Sequence, residues 1–311
     1  MPAILPSLSR TCLAVGVAAA LCTSVACDKR PAPTRPSVTP GDTPPIPPIA
    51  PGSTGPIAFA SNRNGPTQIF LANADGSLVT RLTEGSHPSW SPDGRRIAFA
   101  GPSGGVYVVN ADGTGLRLAA ANGVQPAWSP DGSRIAYMSG NAMGTGGIFV
   151  TDVDGGGARQ LVDHALARQL APGCDCMVER PTWAPDGRSI AFSSSGEYGF
   201  GAPSQIFIVN DDGADRRKLV DGKYPTWSPN GPLIAFEYGG ISIVGADGSG
   251  RYLAVPGTLT GASGWTPNGG LLFHLDRRVF IWEGGAVRQL IPDAEAPAVP
   301  GYFDSLAVWS R

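Results

Sequence analysis

From residue 56 onward, apolar residues fall in short runs, each bounded by Gly, Pro, Asp or Asn. The stretch from Gln125 to Asp163 shows the pattern clearly. Pro126-Ala127-Trp128 is followed by Ser129-Pro130-Asp131-Gly132, in which Pro presets φ near −65° and Gly supplies a positive φ, the chemistry of a tight turn. Arg134-Ile135-Ala136-Tyr137-Met138 and Gly147-Ile148-Phe149-Val150-Thr151 come next. A second turn, Asp152-Val153-Asp154-Gly155, leads to Ala158-Arg159-Gln160-Leu161-Val162. The segments are rich in β-branched and aromatic residues, and no window of about 11 residues sustains a helical apolar period. The pattern predicts four antiparallel strands per unit.

The unit recurs. Trp90-Ser91-Pro92-Asp93-Gly94, Trp128-Ser129-Pro130-Asp131-Gly132, Trp183-Ala184-Pro185-Asp186-Gly187, Trp227-Ser228-Pro229-Asn230-Gly231 and Trp265-Thr266-Pro267-Asn268-Gly269 follow one another. A truncated Trp309-Ser310 closes the series, and the Trp-to-Trp spacings are 38, 55, 44, 38 and 44 residues. Repetition at this period means units that cannot bury an apolar face alone. Four-stranded units repeated radially make a β-propeller, whereas a β-helix would want shorter and more uniform rungs. Pro56 to Thr83 supplies three strands without a leading Trp strand, and Leu306 to Arg311 supplies that strand with nothing after it. The expectation is therefore an all-β, six-bladed propeller over residues 56–311, with one blade shared by the two ends of that segment so that no sheet edge is left open.

These residues resemble the PD40, or TolB-like, WD40-type repeat: W-S-P-D-G, then I-A-F-x-S, then I-Y-V-x-x-x-D-G, then a short strand ending in Leu. The resemblance spans Pro56 to Arg311. It implies a six-bladed propeller of the bacterial envelope that binds protein partners, including the peptidoglycan-associated lipoprotein and inner-membrane Tol components. TolB carries an α/β domain ahead of its propeller, which the segment before Pro56 does not match, so the expectation carries over for the propeller alone.

The formal net charge of −2 lacks the basic stripe that nucleic-acid binding needs. Of the 30 Pro, ten fall between Pro31 and Pro56. Ahead of them, Arg10 precedes an apolar run from Cys12 to Leu21 that is too short to span a membrane. Ser24-Val25-Ala26 then precedes Cys27, a spacing that fits signal-peptidase cleavage and resembles a lipobox. Residues 1–26 are expected to be an export signal of lipoprotein type, with Cys27 as the acylation site. Residues 27–55 are then a Pro-rich tether holding the propeller off a membrane surface, with plain secretion as the alternative.

Connections carry the functional expectation. The first-to-second and third-to-fourth strand turns are short throughout, while length varies at the second-to-third and blade-to-blade connections, which share the opposite face. Asp163 to Arg180 and Ser195 to Ser204 are adjacent long insertions there, and loops on a rigid scaffold carry binding. Their candidate residues are His164, Arg168 and Glu179, then Glu197, Tyr198 and Phe200. A second candidate set lies three residues before each Trp: His87, Gln125, Arg180 and Tyr224, polar and mutually different, at the mouth of a central channel. Ala262 and Leu306 fill the same position in the remaining units.

Cys174 and Cys176 read as a disulfide or as two thiols, because the i, i+2 ring is near the geometric limit. The Asp-Gly turns lack the Glu at position twelve that an EF-hand requires. No cofactor or metal is expected. With three His (His87, His164, His274) and no G-x-S-x-G elbow, a non-catalytic, monomeric scaffold for an envelope protein or peptide is the stronger reading. A glycan-processing lyase or hydrolase built on channel-mouth residues is the alternative.

Overall fold

The computed structural model describes residues 56–62, 65–73, 75–140, 146–163, 176–196, 204–257, 262–266, 268–275, 278–290 and 308–309. These form six four-stranded antiparallel sheets, with no helix among the described residues. Blade I joins β24 (Val308–Trp309) to β1 (Ile57–Ser61), β2 (Gln68–Ala72) and β3 (Thr80–Glu84). Blade II is β4 (Ser86–Trp90), β5 (Arg96–Ala100), β6 (Val106–Asn110) and β7 (Arg117–Ala120). Blade III is β8 (Val124–Trp128), β9 (Arg134–Ser139), β10 (Gly147–Asp152) and β11 (Arg159–Asp163). Blade IV is β12 (Cys176–Trp183), β13 (Ser189–Gly196), β14 (Gln205–Asn210) and β15 (Arg217–Asp221). Blade V is β16 (Lys223–Trp227), β17 (Leu233–Glu237), β18 (Gly240–Gly245) and β19 (Tyr252–Pro256). Blade VI is β20 (Ala262–Trp265), β21 (Leu271–Leu275), β22 (Arg278–Glu283) and β23 (Ala286–Gln289).

The ring closes as its sequence implies. Val308 and Trp309 pair antiparallel with Ala58 and Ile57. The inner strands β24, β4, β8, β12, β16 and β20 each touch the next, with β24 meeting both β20 and β4. Six apolar clusters fill the gaps between consecutive blades. In the one that closes the ring, Ile57, Phe59 and Phe70 of blade I pack on Leu272, Val279 and Ile281 of blade VI. Because every sheet is covered on both faces, its middle strands carry continuous apolar runs rather than an alternating pattern, as in Ile97-Ala98-Phe99-Ala100.

Two local devices repeat. In the Trp-Ser-Pro-Asp-Gly turn the Ser91 hydroxyl donates to Asp93 (2.5 Å) and accepts the Arg96 N–H (2.9 Å). Ser129, Asp131 and Arg134 repeat this at 2.5 and 2.9 Å, and the hydroxyl bond foremost holds the Asp131 carboxyl down to about 2. The turn Asp residues are thereby explained as turn acceptors. The second device is a cross-strand aromatic pair in each blade except V: Phe59–Phe70, Phe99–Tyr107, Tyr137–Phe149, Phe192–Phe207 and Phe273–Phe280, with centroids 5.6–5.8 Å apart.

Trp side chains then stitch blades together. Trp128 Nε1–H donates to the Ser89 carbonyl (3.0 Å), Trp183 to Ala127 (3.2 Å) and Trp265 to Thr226 (3.1 Å). Each acceptor is the residue before the Trp of the preceding blade. Arg96 and Arg134 cover the rings of Trp128 and Trp183 at 4.8 Å.

Candidate channel-mouth site

Each inner strand from blade II to blade V carries a bulge shortly before its Trp. The register with the second strand shifts between Ser86 and Ser89, Val124 and Ala127, Glu179 and Thr182, and Lys223 and Thr226. The bulged residue has a left-handed backbone in all four: His87 (φ 51°), Gln125 (54°), Arg180 (51°) and Tyr224 (57°). Each precedes a proline, a position that steric conflict with the ring already restricts. Left-handed backbone costs a non-Gly residue roughly 1–2 kcal/mol, so the assembled ring holds these four in a strained conformation. They are the residues three before each Trp, and all four are half-buried.

In blades IV and V the bulged residue's backbone N–H is met by a side chain of the preceding blade. Arg180 N–H donates to Gln125 Oε1 (2.8 Å), and Tyr224 N–H donates to Ser193 Oγ (3.3 Å). Ser193 Oγ in turn donates to the Glu179 carbonyl (3.3 Å). The Arg180 guanidinium lies 4.1 Å from the centre of the Tyr224 ring. Gln125, Arg180 and Tyr224 therefore form a continuous row across blades III to V, while His87 is hydrogen-bonded to Ser86 Oγ in blade II (3.0 Å).

A second set of positions was not singled out from sequence. The residue after the second-strand aromatic is Ala60, Ala100 and Met138 in blades I to III, but Ser193, Glu237 and His274 in blades IV to VI. Glu237 binds Lys223 at 2.9 Å, its opposite number across β16 and β17. His274 is buried, and that burial, with a lesser contribution from the Arg180 charge, lowers its pKa to about 3. Burial foremost, then the Glu179 carboxylate, pushes the Tyr224 hydroxyl up against the opposing Arg180 and Lys223 charges. At this position, then, blades I to III carry apolar residues and blades IV to VI polar or charged ones. The signal was present in the repeat, as the variable x of I-A-F-x.

Blade IV also differs in length. β12 and β13 are eight residues each, and pairs Cys176↔Gly196, Met177↔Ser195 and Val178↔Ser194 extend the hairpin. Residues 176–180 and 195–196, expected within insertions, belong instead to strands. Glu179 sits in β12 opposite Ser193. Cys176 begins β12, whereas His164, Arg168, Cys174, Glu197, Tyr198, Phe200 and Cys27 lie outside the described residues. No group of three His, Cys, Asp or Glu converges among the described residues.

The chain matches no protein-family model and no curated protein. Solved structures do resemble it. TolB of Acinetobacter baumannii superposes with a TM-score of 0.65 at 18% identity, covering 82% of this chain and 66% of that one. The chain thus spans just under two thirds of that protein's length. A TolB candidate from Agrobacterium tumefaciens gives 0.54 at 18%, covering 77% and 90%. An oligogalacturonate lyase of Vibrio parahaemolyticus gives 0.54 at 13%, covering 76% and 74%. What is shared with these proteins is the fold, a β-propeller of four-stranded blades.

Proposed function

We propose that this propeller is a binding scaffold of the bacterial cell envelope that holds a protein or peptide partner on the channel-mouth face at blades IV and V. The observation that carries the reading is the lengthened β12–β13 hairpin beside the Gln125–Arg180–Tyr224 row. It adds strand surface to blade IV beside the charged residues Glu179, Arg180, Lys223 and Glu237, and Met177 on it is 38% exposed. The fold likeness to TolB supports the same reading. Export through residues 1–26, a tether over 27–55 and acylation of Cys27 belong to this proposal. Cys27→Ala is expected to move the protein from the membrane to the soluble envelope fraction.

The test is photo-crosslinking in cells. A crosslinker at Met177 is expected to capture a discrete envelope partner, and one at Leu253, exposed on the outer strand β19, is not. Equal capture at both positions, or none at Met177, contradicts the proposal. Turnover of an anionic oligosaccharide by the purified protein would instead favour a glycan-processing enzyme.

A further inference from the structure

We propose that Arg180 and Tyr224 form a subsite for a carboxylate, taken from an acidic peptide segment of the partner. This deepens the scaffold reading and rests on it. Arg180 makes no ion pair among the described residues, and its Nε is buried without a hydrogen-bond partner. The Arg180 contact with the Tyr224 ring, 4.1 Å from Cζ to its centre, is made through the cation's charge, and the guanidinium's planar fork of N–H donors suits the bidentate pairing that carboxylates make. A buried donor without an acceptor is costly, so an acceptor supplied by a ligand is favoured there.

The neighbouring charges narrow the ligand. Lys223 lies 5.0 Å from the centre of the Tyr224 ring but is held by Glu237 at 2.9 Å. The Glu179 and Glu237 carboxylates act on Tyr224 against the Arg180 and Lys223 charges, so the site carries no net excess of positive charge, and directed hydrogen bonds rather than bulk attraction select the carboxylate. Glu237 Oε2 is buried without a hydrogen-bond partner, an acceptor suited to a peptide N–H. A uronate chain presents a carboxylate on every sugar and asks for a row of unpaired cations, which the Lys223–Glu237 pair does not offer. One carboxylate beside an amide donor describes an acidic peptide.

The experiment measures binding of a fluorescent oligoglutamate peptide to the full chain by anisotropy, with oligoglutamine and oligogalacturonate as competitors. Wild type is expected to bind, Arg180→Gln to lose about tenfold in affinity, and Arg180→Lys to lose less, because the charge survives but the fork does not. Arg117→Gln, which breaks an ion pair with Asp154 elsewhere in the ring, is expected to bind as wild type. Melting temperatures monitor folding, and Tyr224→Leu, which removes the stacking surface, is the second variant. No binding by wild type, equal binding by folded Arg180→Gln, or tighter binding of oligogalacturonate overturns the proposal. Crosslinking at Met177 surviving such a result would leave the scaffold reading standing, whereas its loss would remove both.

Discussion

The Arg180 N–H and the Gln125 side chain meet at 2.8 Å across two blades, and both residues have left-handed backbones, with φ of 51° and 54°. The bulge that frees the Arg180 N–H from its own sheet is thus completed by the bulged residue of the blade before it. Gln125→Ala removes the acceptor and is expected to cost about 1–2 kcal/mol, read by chemical denaturation. Gln125→Gly loses the same bond but relieves the backbone, so it should melt above the Ala variant. The reverse order would show that the conformation is not strained.

The inter-blade indole bonds separate from packing by paired substitutions. Trp128→Phe keeps most of the buried ring and loses the bond to the Ser89 carbonyl, an expected cost of about 1 kcal/mol plus a small packing loss. Trp128→Ala should cost about 3–5 kcal/mol. Equal destabilisation by the two variants would assign the whole effect to the hydrogen bond.

Glycines at blade junctions test close approach. A Cβ on Gly222, whose φ is 152°, would stand 2.4 Å from Phe236 Cδ2, between β15 and β16. Gly222→Ala is expected to destabilise by about 3 kcal/mol, through overpacking and backbone strain together. Gly231→Ala, where a Cβ meets nothing within 4 Å, should be near neutral. Melting curves for the two variants give the comparison directly.

His274 sets an acid dependence. Its imidazole is held neutral in the fold down to about 3, while its ordinary value is 6.5. Between these values the unfolded chain binds a proton that the folded chain does not. Stability is therefore unaffected by this group above about pH 6.5 and falls as pH drops toward 3, by up to about 1.4 kcal/mol per unit. Asp131 has the opposite kind of group but the same acid direction: its lowered value keeps a contribution that is lost only as pH falls from about 4 toward 2. The windows overlap only between about pH 4 and 3, so His274→Leu should flatten the stability profile between about pH 6 and 4.5. A variant with the wild-type slope there would contradict a neutral buried His274.

Strands, turns and the blade number were legible in the chain because they rest on neighbours in sequence. Ser91, Asp93 and Arg96 close their turn within six residues, and the Ile-Ala-Phe runs declare buried strands by composition alone. The split blade was legible too, since Leu306 to Trp309 supplies the Trp strand that Pro56 to Thr83 lacks. His87, Gln125, Arg180 and Tyr224 could be aligned by their place before each Trp, but not their strained backbones or their row. Those depend on ring closure, which sets Gln125 against Arg180 although 55 residues separate them. The same closure gathers Ser193, Glu237 and His274 onto one side of the mouth from three blades. A repeat places equivalent residues on equivalent strands. Only packing those strands around a common axis decides which of them meet, because contact between blades is set by distance in space and not along the chain.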